Sequence, residues 1–158
     1  MPMKHEAVET DAEIAKRVRG NAEKQAFLTF IGAELTAIHR GYAEFSMPFR
    51  AELGQQHGFL HAGVITTIAD VAAGYAAYST MPAASEVLSV EFKVNLLRPG
   101  VGERFVARAK VVKPGQTLTV VQADVFAISH GAEKQVASFQ GTMICKRHHA
   151  AAGVEAGE

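Results

Sequence analysis

Gln55-Gln56-His57-Gly58-Phe59-Leu60-His61-Ala62-Gly63, running on through Val64 to Tyr78, is the stretch whose reading decides the fold. From Ala62 to Ser79 there is no proline and, past Gly63, a single glycine, Gly74. Most positions are Ala, Val or Ile, on every side of a helical wheel, and a helix apolar all round is a buried one. It is too short, and too rich in Thr, Gly and Asp, for a membrane span. Its middle carries one acid, Asp70, between Ile68-Ala69 and Val71-Ala72. A lone carboxylate in such surroundings is costly unless it is paired, hydrogen-bonded or neutralised. Two readings meet that cost: a structural aspartate tying the helix to a neighbour, or a catalytic one.

The loop upstream favours the catalytic reading. Gln55, Gln56 and His57 lead into Gly58, and His61-Ala62-Gly63 marks the helix start. Helix N-termini carry unpaired N–H groups and partial positive charge, which suit an oxyanion. A carboxylate and an amide-lined helix start are together a minimal kit for attack on a carbonyl. Yet Ala62 and Asp70 are eight residues apart, about 12 Å along a helix axis. One carbonyl needs both its oxyanion donor and its base or nucleophile within about 3 Å. Two antiparallel copies of the helix, with Asp70 of one facing the Ala62 amide of the other, meet that need. The expected site lies between subunits.

The run G-F-L-H-A-G-V-I-T-T-I-A-D-x-A-x-G-Y-A-A from Gly58 to Ala77 resembles the central-helix signature of hotdog-fold acyl-CoA thioesterases. Within the 4HBT superfamily it is most similar to the PaaI-like, phenylacetate-degradation group. The likeness continues through Ser89 to Pro99 and Val111 to Thr117, and covers roughly residues 33–146. The resemblance implies an α+β hotdog fold, a long central helix wrapped by a curved antiparallel sheet of about six strands. It implies hydrolysis of an acyl-CoA thioester, with Asp70 as base or nucleophile. In that family the second residue of an H-G-G motif polarises the thioester carbonyl through its N–H. Ala62 holds that place here, a departure that keeps the N–H. Gln55, seven positions earlier, matches the residue that orients water or substrate, with Gln56 as competitor. Ser89 matches an assisting polar residue on the next strand. The resemblance implies no cofactor beyond the coenzyme A of the substrate, an obligate homodimer, and commonly a tetramer of two dimers.

The remaining candidates stay open between two uses. His61 reads as a general acid or substrate-positioning group, or as a cap on the central helix; His57 reads as loop structure. Ser89 sits on the polar parity of its strand, so plain exposure competes with a role. Gly63 and Phe59 are assigned to substrate, and Arg98 and Lys113 to the coenzyme A phosphates, against simple solvation. Phe59, Tyr75, Tyr78 and Met81 line an acyl pocket or belong to the core. A hotdog hydratase or dehydratase pairing His61 with Asp70, and a non-catalytic acyl-CoA binding module, are the alternative functions.

Composition excludes other classes. The 158 residues, 48% hydrophobic and 20% charged, suit a globular chain with one core. A formal net charge of zero gives no support to a nucleic-acid or membrane-surface binder. The single Cys145 excludes an intrachain disulfide and fits a cytoplasmic setting. No signal-peptide pattern opens the chain. No P-loop, dinucleotide fingerprint, zinc pattern or G-x-S-x-G elbow is present. His148-His149 are adjacent and do not converge as spaced metal ligands would.

The rest of the chain falls into order around the central helix. Residues 1–32 read as an extension with two short helices: one from Asp11 to Arg19 behind a Thr10/Glu13 capping box and ended by Gly20, one capped by Asn21 and stopped by Gly32. No chemistry is expected of them. Residues 33–146 read as the hotdog domain and 147–158 as a disordered tail. Phe45, Met47 and Phe49 alternate as a strand after a His39-Arg40-Gly41 turn. Four strands follow Met81-Pro82, the clearest with Leu88, Val90, Phe92, Val94 and Leu96 on one face.

Overall fold

The computed structural model describes residues 9–147. Residues 1–8 and 148–158, which include His148, His149 and most of the expected tail, lie outside them. Two helices, α1 (Asp11–Ala22) and α2 (Ala26–Ile31), precede a hairpin of β1 (Glu34–His39) and β2 (Tyr42–Pro48). A short 3-10 turn at Ala51–Leu53 leads to α3 (Ala62–Tyr78). Then come β3 (Ser85–Leu96), β4 (Arg104–Lys113), β5 (Leu118–Ser129) and β6 (Ala132–Arg147). The six strands form one antiparallel sheet in the order β1-β2-β4-β5-β6-β3, curved around α3 in the expected α+β hotdog arrangement.

Alanine on both surfaces lets helix and sheet approach closely. Ala69, Ala72, Ala73 and Ala76 of α3 are wholly buried, and so are Ala43, Ala107, Ala109 and Ala123 of the strands beneath. Phe45, Phe105, Phe139, Met47 and Met143 fill the remaining volume. The helix is nevertheless not buried all round. Gly63 is exposed, and Thr67, Asp70 and Gly74 are only half-buried. Their spacing of four, three and four residues is that of one helical face. The acid expected in the core therefore lies on an open stripe of the helix.

The N-terminal helices differ from expectation at their junction. The Thr10/Glu13 capping box forms as expected. Gly20 does not end α1, which runs on through Asn21 to Ala22. Nothing crowds the Gly20 position, so the helix passes through it, and a glycine ends a helix only where a left-handed turn is needed. Gly32, at φ 73°, does serve as that turn for α2. Arg17 fastens α1 to the far end of α3: it is paired with Glu9 at 2.7 Å, donates to the Tyr78 and Met81 carbonyls, and lies 4.5 Å over the Tyr78 ring.

Strand β3 also departs from simple alternation. Ser89 faces Met143 of β6, but Glu91 faces Thr142, so Val90 is an extra residue in the ladder. The bulge shifts the parity of the strand. Ser89 and Phe92, which strict alternation would put on opposite faces, both turn to the inner side, where Phe92 stacks on the buried Phe139 ring at 5.1 Å. β3 is also an edge of the sheet, and it leaves Leu88, Val90, Phe92 and Leu96 about half exposed.

Candidate active site

The start of α3 is made by its entry loop. The Leu60 N–H donates to Gly100 O and the His61 N–H to Leu53 O, which pins the chain just before the helix. His61 is the N-cap, in extended backbone, and its Nδ1 accepts from the Gly63 N–H at 2.9 Å. Of its two readings, the cap is the one this geometry fits. The Val64 and Ile65 N–H groups donate to His61 O. Among the described residues, this leaves the Ala62 N–H as the one of the first four without an acceptor. The amide singled out from sequence is thus the free one.

That amide borders a cleft of about 570 Å³ shared by Gln55, His57, Phe59, His61, Leu97 and Arg98. Gln55 is held by its backbone, whose N–H donates to Phe59 O, while its side-chain Oε1 accepts from the His57 N–H at 2.9 Å. Its amide nitrogen makes no hydrogen bond among the described residues. Gln56 is exposed on the same rim. Arg98 donates one N–H to Gln135 O at 2.8 Å and has others to offer. Lys113, at the opposite end of β4, lines neither this cleft nor the next.

Asp70 opens into a second cleft, of about 330 Å³. The Ser89 hydroxyl donates to Asp70 Oδ1 at 2.7 Å. The bulge at Val90 turns Ser89 toward the helix, so the side chain, although exposed, is engaged by Asp70. Oδ2 of Asp70 has no hydrogen-bond partner among the described residues. Tyr75 and Tyr78 line this cleft, Phe59 lines the first, and Met81 belongs to the core. Two further residues come from the N-terminal helices, where no chemistry was expected. Asn21 Oδ1 accepts from the Tyr75 hydroxyl at 2.9 Å, and Gln25 Nε2 donates to the same hydroxyl at 2.7 Å. Both amides lie at the cleft beside Asp70. No periodic signal marks them, because Asn21 lies in the last turn of α1 and Gln25 is the extended residue before α2.

The expected residues therefore fall into two groups within one chain. Gln55, Phe59, His61, Ala62 and Arg98 gather at the start of α3; Asp70 and Ser89 meet two turns further on. No group of three or more His, Cys, Asp or Glu side chains able to hold a metal occurs among the described residues. Nor is any described helix long and apolar enough to cross a membrane.

Comparison with known proteins bears on the family and the fold. The profile of the thioesterase superfamily matches residues 57–133, from the entry loop to the start of β6. A solved thioesterase family protein from Silicibacter pomeroyi is 44% identical, covers 85% of this chain and 99% of its own, and superimposes with a TM-score of 0.84. The Escherichia coli PaaI protein of the phenylacetic acid degradation operon shares the fold, with a TM-score of 0.76 at 21% identity over 89% of this chain and 97% of its own. The medium/long-chain acyl-CoA thioesterase YigI of Escherichia coli is 26% identical over 110 residues, 60% of this chain and 71% of the relative. On the profile and the near-complete match to the Silicibacter protein, this chain belongs to the thioesterase superfamily.

Proposed function

We propose that the protein hydrolyses an acyl-CoA thioester at a site assembled from two copies of the chain. The observation that carries this reading is the separation of the free Ala62 amide from the Asp70–Ser89 pair, each in its own cleft on one helix. About 12 Å of helix lies between groups that must act on the same carbonyl. The open stripe of α3 and the half-exposed apolar edge of β3 support a second copy as the missing wall, since a long unpaired apolar edge is a surface proteins cover. Antiparallel helices then bring Asp70 of one protomer to Ala62 of its partner.

In that assembly the Ala62 N–H holds the carbonyl oxygen as it becomes an oxyanion. Asp70 takes a proton from water as the oxygen attacks, or attacks itself and forms an anhydride that water opens. In either route the C–S bond breaks and coenzyme A leaves. Ser89 fixes one carboxylate oxygen and leaves the other free to work. Gln55 orients the water or the thioester, and Arg98 meets the coenzyme A phosphates; Lys113 would have to do so from the partner protomer. The name of YigI supports an acyl-CoA substrate, and the fold shared with PaaI supports placement beside the phenylacetate group. The use of His61 as a helix cap weighs against the hydratase reading, which needs that ring for the substrate.

A thiol-release assay over acyl-CoAs differing in length and aromaticity tests the proposal. Asp70→Asn is expected to keep the fold and the oligomer and to lower kcat by roughly three decades or more. Turnover close to wild type in that variant would end the assignment.

A further inference from the structure

Gly74 has no reason within its own chain to be glycine. It lies in the interior of α3, where glycine is the most destabilising residue after proline. Its backbone is right-handed, so no positive φ requires it. A Cβ added there would meet nothing within 4 Å. One turn earlier on the same face is Asp70, and both line the cleft of about 330 Å³ that Val71, Tyr78 and Leu88 also border. That volume is at the small end of the range for ligand pockets, so a single methyl group placed in it matters.

We propose that Gly74 is a specificity-determining residue: the acyl group, its carbonyl carbon at Asp70, runs over the bare backbone at Gly74 toward Tyr78. This rests on the thioesterase reading above and deepens it. The chain or ring of the substrate takes the room that a side chain would fill, and Val71 and Leu88 flank it with apolar surface. The length of acyl group tolerated is then set by this one position and the wall behind it, while a two-carbon acyl group never reaches it.

The test compares wild type with Gly74→Ala, and with Gly20→Ala as a matched control. Gly20 is also a right-handed helix glycine with open space around it, in the last turn of α1, and it does not line this cleft. Turnover of acetyl-CoA, octanoyl-CoA and phenylacetyl-CoA is measured by thiol release, with the oligomer followed by size-exclusion chromatography. Gly74→Ala is expected to lower the octanoyl-to-acetyl and phenylacetyl-to-acetyl ratios of kcat/KM at least tenfold, and to raise Tm by about 2–4 °C, as any filled helix glycine should. Gly20→Ala should raise Tm and leave both ratios as they are. Unchanged ratios in Gly74→Ala, or a lowered Tm with loss of the oligomer, would overturn the proposal, the latter because the partner occupies the space. Activity that survives in Asp70→Asn marks failure of the thioesterase reading instead.

Discussion

At its start α3 is fastened to the rest of the chain by backbone, through Leu60 to Gly100 and His61 to Leu53, with the His61 ring as its cap, and a single amide is left over. Toward its end it is fastened by side chains, through Tyr75 to Asn21 and Gln25 and through Tyr78 to Arg17. On the way to that end, at Asp70, the working group is a carboxylate held at one oxygen by the Ser89 side chain. A backbone fastening fixes the direction of an N–H without depending on which side chain carries it, so Ala62 serves where the resemblance leads one to expect glycine. A side-chain fastening fixes position but depends on identity. The two ends should therefore respond to substitution in different ways.

The strongest test of that difference uses proline. Ala62→Pro removes the N–H and no other donor, because proline is well tolerated at the first position of a helix. His61, at φ −61° and ψ 136°, already has the backbone that a residue before proline requires. Loss of one oxyanion donor predicts a fall in kcat of about 10²–10³ with little change in Tm. Mixing Ala62→Pro with Asp70→Asn chains then breaks or establishes the two-copy site. A mixed dimer would hold one site with both substitutions and one with neither, so activity should return on mixing. Two inactive proteins that stay inactive after exchange of subunits would place both groups in the same chain's site.

A smaller pair of substitutions compares the residues that orient. Ser89→Ala removes a hydrogen bond to a carboxylate, a contact worth about 1.5–3 kcal/mol, and should act mainly on kcat through Asp70. Gln55→Ala removes a neutral amide and frees the His57 N–H, at about 1 kcal/mol, or a few-fold. Steady-state kinetics on one acyl-CoA orders them. A larger loss at Gln55 than at Ser89 would move the weight of the site to the start of the helix.

Much of this was legible in the sequence, for reasons that differ by element. The proline-free apolar run, the polar loop before it and four later strands announce a wrapped helix, and Asp70 stands out because nothing around it is polar. The register of β3 was not legible. A bulge adds one residue without altering composition, so Ser89 and Phe92 reach the inner side only once β6 is placed beside them. Nor was the junction of α1 and α2. Gly20 and Asn21 look like a stop and a start, but the helix continues to Ala22, and Asn21 is drawn to Tyr75 by a contact 54 residues away in the chain. Long-range partners of that kind leave no local pattern.

The smallest expected effect probes the side-chain fastening itself. Burial pushes the Tyr75 hydroxyl up to about 12 from an ordinary value of 10.0, while the hydrogen bond from Gln25 pulls it part of the way back. The folded protein thus keeps this proton at a pH where the unfolded chain releases it. The stability that results is whole below about pH 10 and is lost as pH rises from there toward 12. Tyr75→Phe removes the titration and the two hydrogen bonds together. Asn21 and Gln25 are exposed and can turn to water, so the loss near neutral pH should be only about 1 kcal/mol. Denaturant midpoints read between pH 9 and pH 12 should therefore meet at about pH 11 and then cross, because two pKa units are worth about 2.7 kcal/mol, more than the hydrogen bonds lost. A variant that falls as steeply as wild type over that range would show that Tyr75 is not the group that titrates.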